Sequence, residues 1–490
     1  MSEKPSSVLP GETASAVDPS APVDESRKWW ILAAIGISLF LSSVDGSIVN
    51  VALPTLLQAL NTSFATIQWV VLSYLLGVTV LMIGVGRLAD LIGKKQIFTA
   101  GLVLFVAGSV LCGLSPNVYW LIGFRFLQSI GAAMMLALGV AIVTETWPDH
   151  ERGKAIGTTG GIISFGVVAG PAMGGFILES LGWRWIFMVN LPIGLVALWM
   201  VLRYVPSLRP RGVRERFDFL GAGLLAAGLL TFTLSLTLGQ EVGFTTPAAI
   251  GLFAVSLVLL PLFVWTELRV AHPMLDLSIF RASGFGLNLF NGLLTFVAIA
   301  GVVFLLPFFL ELVVGLSQRN VGLAMSVVPV LLAIVAPLSG SLSDRLGTRP
   351  VTVVGLALIL LGYLGLTTLS VDTTPIGYIV HMIPIGLGMA TFQSPNNSAI
   401  MGAVPRSRLG VVSGILSTTR TMGQTIGISV LGAFFSFRLH AHADPSTSID
   451  TAAPQQIVDA MHDQMLLVAV LVAVGLVLAV REWVRERRDA

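Results

Sequence analysis

From Trp29 onward, long apolar runs alternate with short polar breaks. A helix needs ~20 mostly apolar residues to cross ~30 Å of hydrocarbon. Fourteen runs meet that length, at about 30–56, 68–86, 97–114, 119–143, 155–178, 186–204, 219–238, 248–266, 285–313, 321–343, 350–370, 377–400, 410–435 and 465–481. Transmembrane strands do not fit, because their polar and apolar residues alternate over only about 10 positions. The pattern predicts an all-α integral membrane protein.

The basic residues give an independent check on the spans. With the N-terminus in the cytoplasm, only Arg184, Arg319 and Arg438 of the 28 Lys and Arg fall in outer loops. Arg125 and Arg420 lie within spans, and all the others are cytoplasmic. This is the asymmetry of the positive-inside rule, and it places both termini inside. One missed span would invert every later loop.

Residues 1–28 are rich in Ser, Pro, Glu and Asp and read as a disordered cytoplasmic tail, not a secretory signal. The stretch 437–464 carries His440, His442 and His462 with Asp444, Asp459 and Asp463. Their spacing fits no regular metal site, so this reads as a solvated acidic loop.

Composition narrows the function. Of 490 residues 55% are hydrophobic and 11% charged, with a mean hydropathy of +0.88, against about 25% charged in soluble domains. The formal charge of +2 lacks the basic footprint of a nucleic-acid binder. Cys112 has no cysteine partner, and no Cys/His spacing suggests a metal. Gly93-Lys94-Lys95 lacks the earlier Gly and the hydroxyl of a phosphate loop. No enzyme activity, cofactor or nucleotide is expected, and an ion gradient becomes the energy source. One proton crossing 100 mV supplies about 2.3 kcal/mol.

An internal repeat sets the architecture. Gly86, Leu88, Asp90 and Gly93 recur as Gly340, Leu342, Asp344 and Gly347, an offset of 254. Gly157, Gly161, Ile162, Ser164, Gly170 and Gly174 recur as Gly410, Gly414, Ile415, Ser417, Gly423 and Gly427, an offset of 253. Equivalent spans are eight apart and share orientation, which makes a parallel repeat. The expected layout is a six-helix bundle over 29–205, two inserted helices with their loops over 206–283, a second six-helix bundle over 284–482 and a cytoplasmic tail over 483–490.

Several motifs resemble the major facilitator superfamily. Gly86-Arg-Leu-Ala-Asp90-Leu-Ile-Gly93-Lys94-Lys95 is similar to its loop 2–3 signature, and Arg125-Phe-Leu-Gln128-Ser-Ile-Gly131 to its span 4 signature, with Ser129 where that motif usually has Gly. Gly157-x8-Gly166-x3-Gly170-Pro171-x2-Gly174-Gly175 resembles the span 5 motif of exporters. Asp45-Gly-Ser-Ile-Val-Asn50-Val-Ala-Leu-Pro54 and Trp183-Arg-Trp-Ile-Phe-x-Val-Asn190-x-Pro192 look like motifs of the fourteen-span drug:proton antiporters. The resemblance implies the major facilitator fold and, for the Arg125–Gln128 face, a part in proton coupling.

Depth singles out the remaining chemistry. At 1.5 Å per residue, Asp45 lies about 24 Å above the cytoplasmic side and Arg125 about 9 Å below the outer side, which are similar levels in a ~30 Å core. A carboxylate there is costly and marks a candidate proton or substrate site, a static Asp45–Arg125 pair being the bland alternative. Gln128 is one turn below Arg125. Glu311 is near the outer end of span 9, either an interface residue or a second acidic site. Arg420 lies deeper, opposite Val167 in the repeat, and is expected to face the cavity or pair with polar groups. His381 reads as a satisfied interior residue.

The paired loops carry Gly86, Arg87, Asp90, Gly93 and Lys94 in one half and Gly340, Asp344, Arg345 and Gly347 in the other. Their glycines permit tight turns, and each Asp is expected to contact a helix N-terminus and gate the cytoplasmic side. Gly166, Gly170 and Gly174 form a small-residue face for close helix approach, with Pro171 bending the helix. Phe296, Phe304 and Phe308 line up along span 9 as core, lipid-facing or pocket residues.

The function expected from these features is proton-coupled efflux of amphipathic compounds, cationic ones included, by a monomer in a bacterial plasma membrane. A lipid or glycolipid translocase with a lateral opening, or a proton-linked nutrient importer, would use the same fold.

Overall fold

The structure, a computed structural model, describes residues 25–148, 151–207, 218–270, 284–404, 409–443 and 447–489. Fourteen membrane-length helical segments account for most of them: α1 Glu25–Ala59, α2 Phe64–Ile92, α3 Lys94–Gly113, α4 Val118–Thr146, α5 Arg152–Leu181, α6 Trp185–Tyr204, α7 Phe219–Val242, α8 Pro247–Glu267, α9 Phe285–Val313, α10 Gln318–Leu346, α11 Thr348–Leu366, α12 Pro375–Gly402, α13 Leu409–His442 and α14 Pro454–Asp489. Thirteen are long and apolar enough to cross a membrane on composition alone; α13 is the other, its run from Ser417 to Thr425 being rich in Ser, Thr and Gln around Arg420.

The ends differ from the sequence reading in two places. Helix α1 begins at Glu25, inside the stretch read as tail, and Lys28 is buried there, paired with Glu151 at 2.6 Å and lying over the Trp147 ring. Helix α13 runs to His442 and α14 starts at Pro454, so most of 437–464 is helical and not loop. Asp463 there accepts hydrogen bonds from Arg438 Nε and His442 Nε2, both at 2.7 Å, which ties α13 to α14. Among the described residues no group of His, Cys, Asp and Glu is arranged to hold a metal; Asp444 lies outside them.

Three local breaks matter. Pro192 has no N–H for the Met188 carbonyl, and α6 divides into Trp185–Met188 and Asn190–Tyr204. Pro307 precedes a π-helical turn, Phe309–Val313, at the outer end of α9. Gly93 (φ +117°) and Gly347 (φ +88°) each join two antiparallel spans through a single residue, a left-handed backbone that an L side chain rarely adopts.

Packing shows which side is closed. One continuous core joins the outer ends of both halves, from Val44–Leu57 of α1 and Phe64–Leu72 of α2 to Ala298–Leu310 of α9, Val321–Met325 of α10 and Ile428–Leu439 of α13. Toward the cytoplasm the halves have separate cores, one around Ile35, Phe98 and Ile142, the other around Phe285, Ile400 and Ile415. Gly157, Gly160 and Gly161 on the inner part of α5, and Gly414 on α13, face open space. The halves meet at one end and part at the other, which is the end that the positions of Lys and Arg assign to the cytoplasm.

The inserted helices seal one flank. Helix α7 packs against both α2 and α13, with Leu225 and Leu229 beside Leu76 and Met422. Trp69 Nε1 donates to Thr237 Oγ1 at 2.9 Å, and Gln68 Nε2 to Gln240 Oε1 at 3.0 Å. Ser63 and Thr66 hydroxyls both donate to Glu241 Oε1, at 3.0 and 2.9 Å. Helix α8 packs on α7 at the periphery.

Candidate functional site

The glycine face of α5 fixes α1. A Cβ on Gly166, Gly170 or Gly174 would stand within 3.0 Å of Ser43, Ser47 or Ile48, so only glycine permits this approach. Asp45 lies between these contact points on α1 and turns away from α5, toward α4 and α6.

There it is enclosed. Asp45 has no exposed surface and Arg125 has 1%. Arg125 Nη1 donates to Asp45 Oδ2 at 2.5 Å and to Gln128 Oε1 at 2.7 Å, and its Nε donates to the Val70 carbonyl at 3.1 Å. Gln128 Nε2 and Asn190 Nδ2 both donate to Asp45 Oδ1, at 2.9 and 3.0 Å. Asn190 also donates to Ser109 Oγ at 2.7 Å, while Ser109 donates to the Phe187 carbonyl at 2.9 Å. The Arg125 guanidinium lies 4.2 Å from the Tyr74 ring centre, and Tyr74 pairs with Ser42 at 3.2 Å. Five helices of one half therefore converge on a single carboxylate.

The depth arithmetic had paired Asp45 with Arg125 and placed Gln128 beside them. Asn190, Ser109 and Tyr74 had been given no role. Asn190 stood in the Trp183–Pro192 motif, and the break before Pro192 is the signal that aims it at α1.

A second cluster closes the outer side. A Cβ on Gly322 of α10 would lie 2.2 Å from the Pro171 carbonyl, and one on Gly175 would lie 2.5 Å from the Gln318 carbonyl. Glu179 Oε2 accepts from Arg319 N at 3.0 Å and Ser317 Oγ at 3.2 Å, and Gln318 Nε2 donates to Thr55 Oγ1 at 2.9 Å. Pro171 thus stands at the contact between the two halves, inside a helix that runs unbroken from Arg152 to Leu181.

A scan against family models matches the chain to "Major Facilitator Superfamily" over residues 35–428. The chain belongs to the major facilitator superfamily. It is 35% identical over 410 residues to the riboflavin transporter RibZ of Clostridioides difficile, covering 84% of this chain and 89% of RibZ. It is 35% identical over 427 residues to the multidrug resistance protein Stp of Mycobacterium tuberculosis, covering 87% and 79%. Its fold matches a bacterial homologue of the human lysosomal transporter Spinster, solved inward-facing and unoccupied, with a TM-score of 0.65 at 17% identity over 94% of this chain and 99% of that one. Relatives named for multidrug resistance and antibiotic export agree with the drug:proton antiporter branch implied by the motifs.

Other candidates fall elsewhere in this superfamily member. Glu311 is half-buried in the π-helical turn, between Leu310 and Leu312 of the closed core, and its Oε2 has no partner among the described residues. Arg420 is half-buried in α13 with its guanidinium 5.8 Å from the Phe296 ring centre. Phe304 and Phe308 pack with Phe64 in the outer core and do not line the cavity. His381 is bonded at both ring nitrogens, to Thr368 and the Gly377 carbonyl.

In the gating loops Lys94 pairs with Glu145. Asp344 and Arg345 are exposed, and Asp344 bonds no described residue. The side chains of Arg87 and Asp90, and the surroundings of Gly86, lie outside what is described.

Proposed function

We propose that the protein exports amphipathic small molecules from the cytoplasm in exchange for protons, by alternating access across the cell membrane. The observation that carries this reading is the enclosed Asp45 carboxylate, held by Arg125, Gln128 and Asn190 within one half while the cavity faces inward. A proton reaching Asp45 from outside removes the charge that holds Arg125. The freed guanidinium repositions α4 against α1 and couples protonation to the rocking of the halves. Substrate enters the inward-open cavity after the proton leaves. The names of Stp and the other efflux relatives support the direction of transport.

Transport into liposomes under an imposed pH gradient tests this, comparing wild type with Asp45→Asn. Loss of gradient-driven transport is expected; undiminished transport in the variant would sink the assignment.

The riboflavin name of one relative favours a second reading, a carrier for one planar nutrient. Cells expressing the protein would then accumulate riboflavin, whereas an exporter lowers the cellular content of its substrates.

A further inference from the structure

Arg420 lies in the inner half of α13, Leu409–His442, as its twelfth residue. A guanidinium offers five N–H donors and no acceptor. Among the described residues Arg420 has neither a carboxylate nor a hydrogen-bond acceptor, only the face of Phe296. The residue as a whole is half-buried, with part of its surface left uncovered by the described residues. Leaving such a group without an acceptor in a low-dielectric setting is unfavourable, and it marks a functional position by default.

The acids of the membrane interior do not compensate it. Asp45 has no exposed surface and already accepts from three donors. Glu311 sits in the π-helical turn of α9, between Leu310 and Leu312 of the core that joins the halves. Asp45 and Arg125 balance each other's charge, whereas Arg420 has no carboxylate partner among the described residues. A cationic substrate would meet repulsion and no counter-charge. A planar anion would supply the missing acceptors to the guanidinium fork and lay its ring along Phe296.

We infer that Arg420 is the recognition point for an anionic group, and that the substrates are planar amphipathic compounds bearing a carboxylate or an acidic phenolate. This rests on the exporter reading and narrows its amphipathic substrates to anionic ones.

The test uses the purified full chain and three ring-matched probes: anthraquinone-2-carboxylate, anthraquinone-2-carboxamide and 2-(aminomethyl)anthraquinone. Binding is read by quenching of the intrinsic Trp fluorescence in wild type, Arg420→Gln and Arg420→Lys. Wild type is expected to bind the carboxylate at least about tenfold more tightly than the amide or the amine. Arg420→Gln brings carboxylate and amide to equal affinity, and Arg420→Lys, which keeps the charge but loses the fork, retains part of the preference. Absence of carboxylate binding, equal or tighter binding of the amine by wild type, or an undiminished carboxylate preference in Arg420→Gln overturns the inference. Failure of the exporter reading is separable. In that case an imposed pH gradient moves none of the probes in wild type, while the Arg420-dependent preference in binding persists.

Discussion

Asn190 Nδ2 stands 3.0 Å from Asp45 Oδ1, and the same nitrogen reaches Ser109 Oγ at 2.7 Å. The broken sixth helix therefore contributes a donor to a carboxylate on the first. Hydrogen bonds to charged groups are worth about 1.5–3 kcal/mol. Asn190→Ala is expected to lower stability by about that amount and to slow gradient-driven transport. Ser109→Ala, which leaves the bond to Asp45 in place, should cost less. Thermal unfolding in detergent, read beside transport in liposomes, checks the order.

The Asp45–Arg125 pair makes a second, sharper prediction. Removing one member of a buried ion pair leaves an uncompensated charge and costs about 3–5 kcal/mol, whereas removing both is far less damaging. Arg125→Gln and Asp45→Asn should each destabilise strongly. The double variant is expected to recover much of the loss and yet transport nothing under a pH gradient. Recovered transport in the double variant would make the pair a purely structural clamp.

The outer closure is testable through glycine. Adding a Cβ at Gly322 puts it against the backbone carbonyl of Pro171, which cannot swing aside as a side chain would. Gly322→Val should hold the outer side open. Thr55, now bonded to Gln318, then becomes reachable from outside. A Thr55→Cys reporter is expected to react faster with a membrane-impermeant maleimide in the Gly322→Val background. Cys112 is buried and stays silent in this assay.

The sequence made the spans legible because crossing hydrocarbon demands long apolar runs, and the positions of Lys and Arg fix orientation. It also paired Asp45 with Arg125, since rise per residue converts position into depth on an unbroken helix. That arithmetic could not find Asn190, whose direction depends on the break before Pro192. Nor could it place α7: Thr237, Gln240 and Glu241 look like ordinary residues at a helix end, and only the fold brings them to α2.

The departure at Ser129 has its counterpart on the neighbouring helix. Ser129 is fully buried and donates to the Phe126 carbonyl at 2.6 Å, and a Cβ at Gly77 of α2 would lie 1.8 Å from its hydroxyl and 2.9 Å from its Cβ. Glycine at 77 thus makes room for a side chain at 129. Gly77→Ala should overpack this contact, and overpacking of a tight core costs about 1–3 kcal/mol. Ser129→Gly removes both atoms that the new methyl would meet. The paired variant Gly77→Ala/Ser129→Gly is expected to restore the melting temperature lost in Gly77→Ala alone. The same pair should restore transport too, because Ser129 follows Gln128 directly and a displaced α4 would carry Gln128 and Arg125 away from Asp45. If Ser129→Gly fails to rescue, the Gly77–Ser129 contact does not set the α2–α4 spacing.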